Sequence, residues 1–271
     1  DCDGLPEDQM YRCYSKADIL AALDQSLQAL QTDYIDLYQI HWPVNIGLLS
    51  ESKTSLAEVV DAMEEAKAKG KVRYYGVCNF GTHDVSDLLD AGGKIVTNQL
   101  PYNLLWRGLE EKILPQCKAN NIGVLCYSPL QQGLLTDKFS SPMEVPEGRR
   151  RTRLFALDST PKSRHAWAGG AQAQEMLWQS GGVLESLRKI SSDASEPLAS
   201  VAVAWLLAQP GVASVVVGAS TPAQVQRNAR VVALPGDVLA KCSAATDGLM
   251  HLIGGQIDQY AAVPRIHCDR K

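Results

Sequence analysis

Five polar residues stand at or just past the ends of short, mostly apolar runs: His41, Asn79, Gln99, Ser128 and Ser220. They offer an imidazole, two carboxamides and two hydroxyls, a set that can hold a polar ligand by both donating and accepting hydrogen bonds. Among them only the imidazole titrates near neutrality. Taken singly each is weak. His41 also reads as a hydrogen-bonded core histidine with Trp42 as a packing residue, and loops are polar in any protein. The coincidence is what informs, because α/β proteins keep their chemistry at the carboxyl ends of parallel strands.

The runs that end in these residues alternate with helical patterns. Residues 34–41 read as a strand buried on both faces and stopped by Pro43, which cannot donate to a ladder. Further strands are expected at 72–77, 94–98, 122–127 and 212–217, parallel and contiguous in that order. Between them, Ser15 with Asp18 and Ser55 with Glu58 sit at capping spacing, ahead of apolar residues at helical intervals. Gly70 is placed to end the second of these helices. A helix over 109–119 is expected to start late or bend at Pro115, and one over 198–208 is apolar almost all round, hence buried. Further helices are expected at 82–89, 172–177, 183–190, 222–231 and 237–252. Residues 131–170 read as a long loop region, and 253–271 as an irregular tail. No early GxGxxG is present, so a Rossmann unit lacks its fingerprint. The repeating strand–helix unit is α/β grammar, a (β/α) barrel or open sheet, with the chain read as a single domain over 1–271.

Composition narrows the class. The chain has 271 residues, 45% hydrophobic and 21% charged, with a formal net charge of -4. That balance argues against nucleic-acid binding, and the cluster Arg149, Arg150, Arg151 and Arg153 reads as a solvated loop. No run is long and apolar enough for a membrane span. The 7 cysteines form no CxxC or Cys/His ligand pattern, so no metal site is expected. Free thiols in a reducing, intracellular compartment fit them best.

The stretches that carry specificity are Asp33-Tyr34-Ile35-Asp36-Leu37-Tyr38-Gln39-Ile40-His41-Trp42-Pro43, Gly70-Lys71-Val72-Arg73-Tyr74-Tyr75-Gly76-Val77-Cys78-Asn79-Phe80, Asn98-Gln99 with Tyr102-Asn103, Tyr127-Ser128-Pro129-Leu130, and Gly218-Ala219-Ser220-Thr221-Pro222 with Gln224 and Asn228. With them the sequence resembles the aldo-keto reductase family, in the branch near bacterial sugar-aldehyde reductases and potassium-channel β subunits. The resemblance implies a (β/α)8 TIM barrel that binds NADP(H) without a Rossmann domain and reduces a small carbonyl compound. It implies that His41 orients the substrate carbonyl, with Trp42 in the substrate pocket. Asn79 and Gln99 would hold the nicotinamide carboxamide, and Tyr127 would stack on the ring. Ser128, Leu130 and Lys138 would line the pyrophosphate, Ser220 and Gln224 the 2′-phosphate region, and Asn228 the adenine.

Three departures accompany the resemblance. Cys78 stands where the family has a serine before the asparagine, and Arg227 stands where a glutamate commonly meets the adenine or ribose. The family's acid tyrosine, aspartate and lysine belong upstream of the helix at Ser15; Tyr11 and Tyr14 are in the wrong context for that role. The N-terminal strands are therefore expected to be missing or not represented, and the chain to be inactive alone. Either it is part of a longer, truncated or incompletely represented reductase, or it is a non-catalytic subunit of a larger assembly. A protein partner or a homo-oligomer is expected to cover the open barrel side.

Overall fold

The computed structural model describes residues 14–43, 54–146, 170–230 and 232–253, and these fall into two compact units divided after Gln99. The arginine cluster at 149–153, Tyr11, the outlying Cys2, Cys13 and Cys268, and the tail beyond 253 lie outside the described residues.

In the first unit, α1 (Lys16–Leu30) starts where the Ser15 hydroxyl accepts the Asp18 amide proton, and it buries Ile19, Leu23 and Leu27. The same device starts α2 (Leu56–Ala68), where Ser55 accepts from Glu58 and one face buries Val59, Val60, Met63 and Ala66. Gly70, at φ 71°, carries the chain out of α2 in a conformation that suits glycine. The strands are β1 (Ile35–Ile40), β2 (Val72–Cys78) and, after α3 (Thr82–Asp90), β3 (Thr97–Pro101). They pair in parallel and in chain order: Ile35 lies opposite Val72, Ile40 opposite Val77, and Cys78 opposite Gln99.

Two expectations are corrected. β1 is not buried on both faces: Ile40 alone is buried and Asp36 is exposed. Among the described residues it has a strand partner on one side only, and Asp36 pairs with Arg73 of β2 at 2.6 Å on the surface. The third strand starts three residues later than expected, so Gln99 lies within it and not after it. The Tyr75 hydroxyl takes the Lys94 amide proton (2.7 Å) in place of a strand partner, and the first backbone bond to β2 is that of Val96 to the Tyr75 carbonyl (3.0 Å). Residues 94–96 are an approach, and ladder pairing begins after them.

The second unit opens with a 3₁₀ turn at Gly108–Glu110 and the short α4 (Ile113–Ala119), which begins late as Pro115 requires. Proline is tolerated in that first turn because the amides there have no intrahelical acceptor. β4 (Gly123–Tyr127) pairs in parallel with β5 (Val212–Val215). The described part of the long loop region holds 3₁₀ turns at Gln131–Thr136 and Pro142–Glu144. Helices α5 (Gly170–Trp178), α6 (Val183–Asp193), α7 (Leu198–Leu207), α8 (Pro222–Ala229) and α9 (Gly236–Ile253) complete the unit. Every α7 residue from Leu198 to Leu206 is buried, as its composition predicts. Among the described residues, no helix is long and apolar enough to cross a membrane.

Candidate functional site

The first unit gathers three of the expected residues at the carboxyl ends of its strands. Asn79, just past β2, is 3% exposed and holds φ 65°, a left-handed backbone that asparagine adopts more readily than most residues. Its Nδ2 donates to the His41 carbonyl oxygen (3.0 Å) and to the Cys78 sulfur (3.2 Å), and its backbone N–H donates to the Gln99 carbonyl (3.0 Å). His41 is exposed past the end of β1, with its ring centre 5.6 Å from that of Trp42. Cys78, the departure from serine, acts here as an acceptor. Burial pushes its thiol up to about 12, so it stays neutral.

Gln99 is half-buried, and its Oε1 accepts from Gln39 Nε2 at 3.0 Å. The oxygen of Gln39 in turn accepts from the Thr97 hydroxyl at 3.1 Å. Sequence reasoning passed over Gln39 and Thr97. The signal was available for Gln39, two residues before His41 on a strand, hence on the same side of the pleat.

The second unit forms a cavity of about 650 Å³ lined by Ser128, Leu130, Lys138, Ser220, Gln224 and Asn228, six of the residues expected to hold a cofactor. Arg227 lines it too, with Pro197 to Ala199 at the start of α7. Tyr127 is half-buried at the end of β4 and is not a lining residue.

One wall leaves β4 at Ser128 (φ 53°) and runs through Gln131, Gln132 and Gly133, all at positive φ. It is held from behind by Asn103, whose Nδ2 donates to the Ser128 carbonyl (3.0 Å) and to Gln131 Oε1 (2.7 Å). The facing turn, 218–220, is fastened by α8: Gln224 Oε1 accepts from the Ser220 amide at 2.6 Å, and Asn228 Nδ2 donates to the Gly218 carbonyl at 3.4 Å. Thr221 caps α8 through the Gln224 amide, with Pro222 in its first turn. Asp137 on the rim is neutralised by Arg188 at 3.0 Å, whereas Lys138 and Arg227 carry no ion pair among the described residues. The groove is therefore cationic and suits an anionic ligand.

Two tyrosines near these elements are unfit for acid–base work. Tyr38 turns to the opposite side of β1 from Gln39, where burial raises its phenol against the lowering contact of Ser26. Tyr102 is fully buried, donates to Glu110 at 2.7 Å, and is pushed far upward by burial and that carboxylate.

Residues 6–247 match the family described as Aldo/keto reductase family. The chain belongs to that family. It is 31% identical over 220 residues to the NADH-specific methylglyoxal reductase of Escherichia coli (strain K12), covering 81% of this chain and 61% of that protein. It is 34% identical over 220 residues to aldo-keto reductase YhdN of Bacillus subtilis (strain 168), covering 80% of this chain and 59% of that one. The chain thus spans about 60% of the length of these curated relatives. The crystal structure of an aldo/keto reductase from Klebsiella pneumoniae in complex with NADP and acetate matches at a TM-score of 0.59 and 27% identity, over 86% of this chain and 66% of that one. The parallel α/β fold is that of aldo-keto reductase TIM barrels.

Proposed function

We propose that this chain is the larger part of an NADPH-dependent oxidoreductase that reduces aldehydes or ketones to alcohols. The observation that carries it is the convergence of Ser128, Leu130, Lys138, Ser220, Gln224 and Asn228 on one groove, with the cations of Lys138 and Arg227, which carry no ion pair among the described residues, lining it too. The donor set suits a phosphorylated adenosine: Ser220, Lys138 and Arg227 toward phosphate, Gln224 and Asn228 keeping the 218–220 turn in place. In the first unit, Asn79 and Gln99 are assigned to the carboxamide. His41 is assigned to the substrate carbonyl, where a donor stabilises the oxygen as it gains negative charge. When bound, the cofactor supplies the hydride.

Coenzyme preference does not follow from family membership, since one relative is named as NADH-specific and another structure holds NADP. In this chain no carboxylate in 218–228 is placed to hold a ribose diol, while Arg227 adds positive charge. Fluorescence titration with NADPH and NADH tests the reading. NADPH is expected to bind more tightly, with Arg227→Glu removing about tenfold of its affinity, a charge-assisted contact. Equal, millimolar binding of both would overturn it.

The acid that protonates the product oxygen is assigned to the portion of the longer relatives that this chain does not span, because Tyr38 and Tyr102 are unfit. The 271-residue chain alone is expected to show no appreciable oxidation of NADPH with methylglyoxal or nitrobenzaldehyde. Turnover of about 1 per second, lost in His41→Ala, would refute that assignment. A second reading, a non-catalytic subunit, draws on the pairing of β1 on one side only among the described residues and the exposed Tyr34, Tyr74 and Leu30 beside it.

A further inference from the structure

A glutamine amide has two ends of opposite character, an accepting oxygen and a donating NH₂, and a half-turn exchanges them. At Gln99 one end is already committed. Its oxygen accepts from Gln39 Nε2 at 3.0 Å. Gln39 is committed in the same direction, because its own oxygen accepts the Thr97 hydroxyl proton at 3.1 Å. Donation therefore runs from Thr97 to Gln39 to Gln99, and the series must end on a donor. That donor is Gln99 Nε2, which has no protein partner among the described residues.

The three side chains meet because β2 places Gly76 between them. Gly76 is the register partner of Gln39, and a Cβ there would lie 2.0 Å from the Thr97 hydroxyl oxygen. Any larger residue would push Thr97 off and release Gln39. Next to this series, Asn79 spends its Nδ2 on the His41 carbonyl and the Cys78 sulfur. A fixed N–H donor at this strand end is the complement of a carboxamide oxygen.

We infer that Gln39 is a positioning residue of the carboxamide site: with Thr97, across Gly76, it turns the Gln99 amide so that its NH₂ end meets the carboxamide oxygen of the ligand. The inference rests on the assignment of Asn79 and Gln99 to nicotinamide. It gives Gln39 no contact with the reacting atoms.

The test compares two probes on the full chain, NADPH and adenosine 2′,5′-bisphosphate, which lacks the nicotinamide end. Gln39→Leu is expected to weaken NADPH by about three- to tenfold, the scale of one neutral hydrogen bond, and to leave the bisphosphate unchanged. Gln39→Glu, which offers only acceptors, forces the Gln99 amide to turn round and is expected to weaken NADPH at least as much. Thr97→Val, nearly isosteric, does the same work if either variant fails to fold. Unchanged NADPH affinity in all that fold, or equal loss for both probes, overturns the inference. If the unsubstituted chain binds neither probe, the cofactor assignment has failed before any variant is read. Positioning is then judged on the ¹⁵N order parameter of the Gln99 side-chain amide, located by its loss in Gln99→Glu. A fall in Gln39→Leu supports positioning, and no change overturns it.

Discussion

Asn103 Nδ2 donates at 3.0 Å to the carbonyl oxygen of Ser128, a serine held at φ 53°. Such a backbone costs on the order of 1–3 kcal/mol and persists only when its surroundings over-determine it. Asn103 supplies that determination: its second Nδ2 contact goes to Gln131 Oε1, and its own oxygen takes the Leu105 amide proton at 2.9 Å. The groove wall in the second unit is thus braced by one fully buried amide, beside its own backbone bonds from Gln131 to Ser128 and from Gly133 to Leu130.

Asn103→Leu leaves the Gln131 side-chain amide and the Leu105 N–H without their partner, while the Ser128 carbonyl keeps only the Gln131 backbone N–H (3.0 Å). The expected loss is about 2–4 kcal/mol of unfolding free energy in urea, since each unsatisfied buried group costs about 1–3 kcal/mol. NADPH affinity should fall with it.

Arg107 gives a contrast between two ends of one network. Its guanidinium, 8% exposed, contacts Glu110 at 2.8 and 2.9 Å and Asp247 at 2.8 Å, and lies 5.5 Å from the Trp205 ring centre. Arg107→Met leaves the Glu110 carboxylate with the Tyr102 hydroxyl but no cation and should cost about 2–4 kcal/mol. Asp247→Asn removes only the solvent-facing partner and should cost less than about 1 kcal/mol. Denaturation midpoints at matched slope separate the two.

Glu65 makes acid stability readable. Hydrogen bonds from Lys16 and Lys69 lower its carboxyl from 4.5 to about 2. The folded state therefore binds the proton less readily than the unfolded one. The contribution is complete above the unfolded value and is lost as pH falls toward 2. The stability difference between the native chain and Glu65→Gln should shrink through that window and vanish at its acid end. A difference independent of pH would refute the pairing.

The described cysteines should resist alkylation. Burial pushes the thiols of Cys78 and Cys126 up to about 12 and that of Cys242 up to about 11, so thiolate is scarce at pH 8, on the order of the usual thiol value. Iodoacetamide at that pH should label these three, and the buried Cys117, only in denaturant, as read by peptide mass. Labelling of Cys78 in the folded chain would contradict its placement.

Gly76→Ala should cost about 1–3 kcal/mol as an overpacked contact. Adding Thr97→Ala should return only part of it, since the Thr97 carbonyl oxygen would also lie 2.9 Å from the new methyl group.

Local signals carried far in this chain. Ser15, Ser55 and Gly70 announced their caps because capping depends on a few adjacent residues, and α7 announced its burial because no polar face interrupts it. The third strand was misplaced because Lys94–Val96 has strand-like composition, while the Lys94 amide is taken by the hydroxyl of Tyr75, far back in the chain. Six groove residues could be named from short stretches. Asn103's grip on Ser128, Arg107's reach to Asp247 and the Gln39–Gln99 amide pair could not, because each joins distant positions through side-chain directions that composition does not encode.

The groove's two sides differ in kind. Pro197 to Ala199 open onto it from a helix buried along nearly its whole length, whereas α8 contributes Gln224, Arg227 and Asn228 without a single buried residue. Backbone amides exchange with solvent at rates set by the cheapest opening that frees them. In deuterated water α7 should therefore keep its protons until the second unit opens as a whole, while α8 loses them early. A bound anion would then show itself as slowed exchange along Pro222–Ala229, with almost none at Leu198–Leu207.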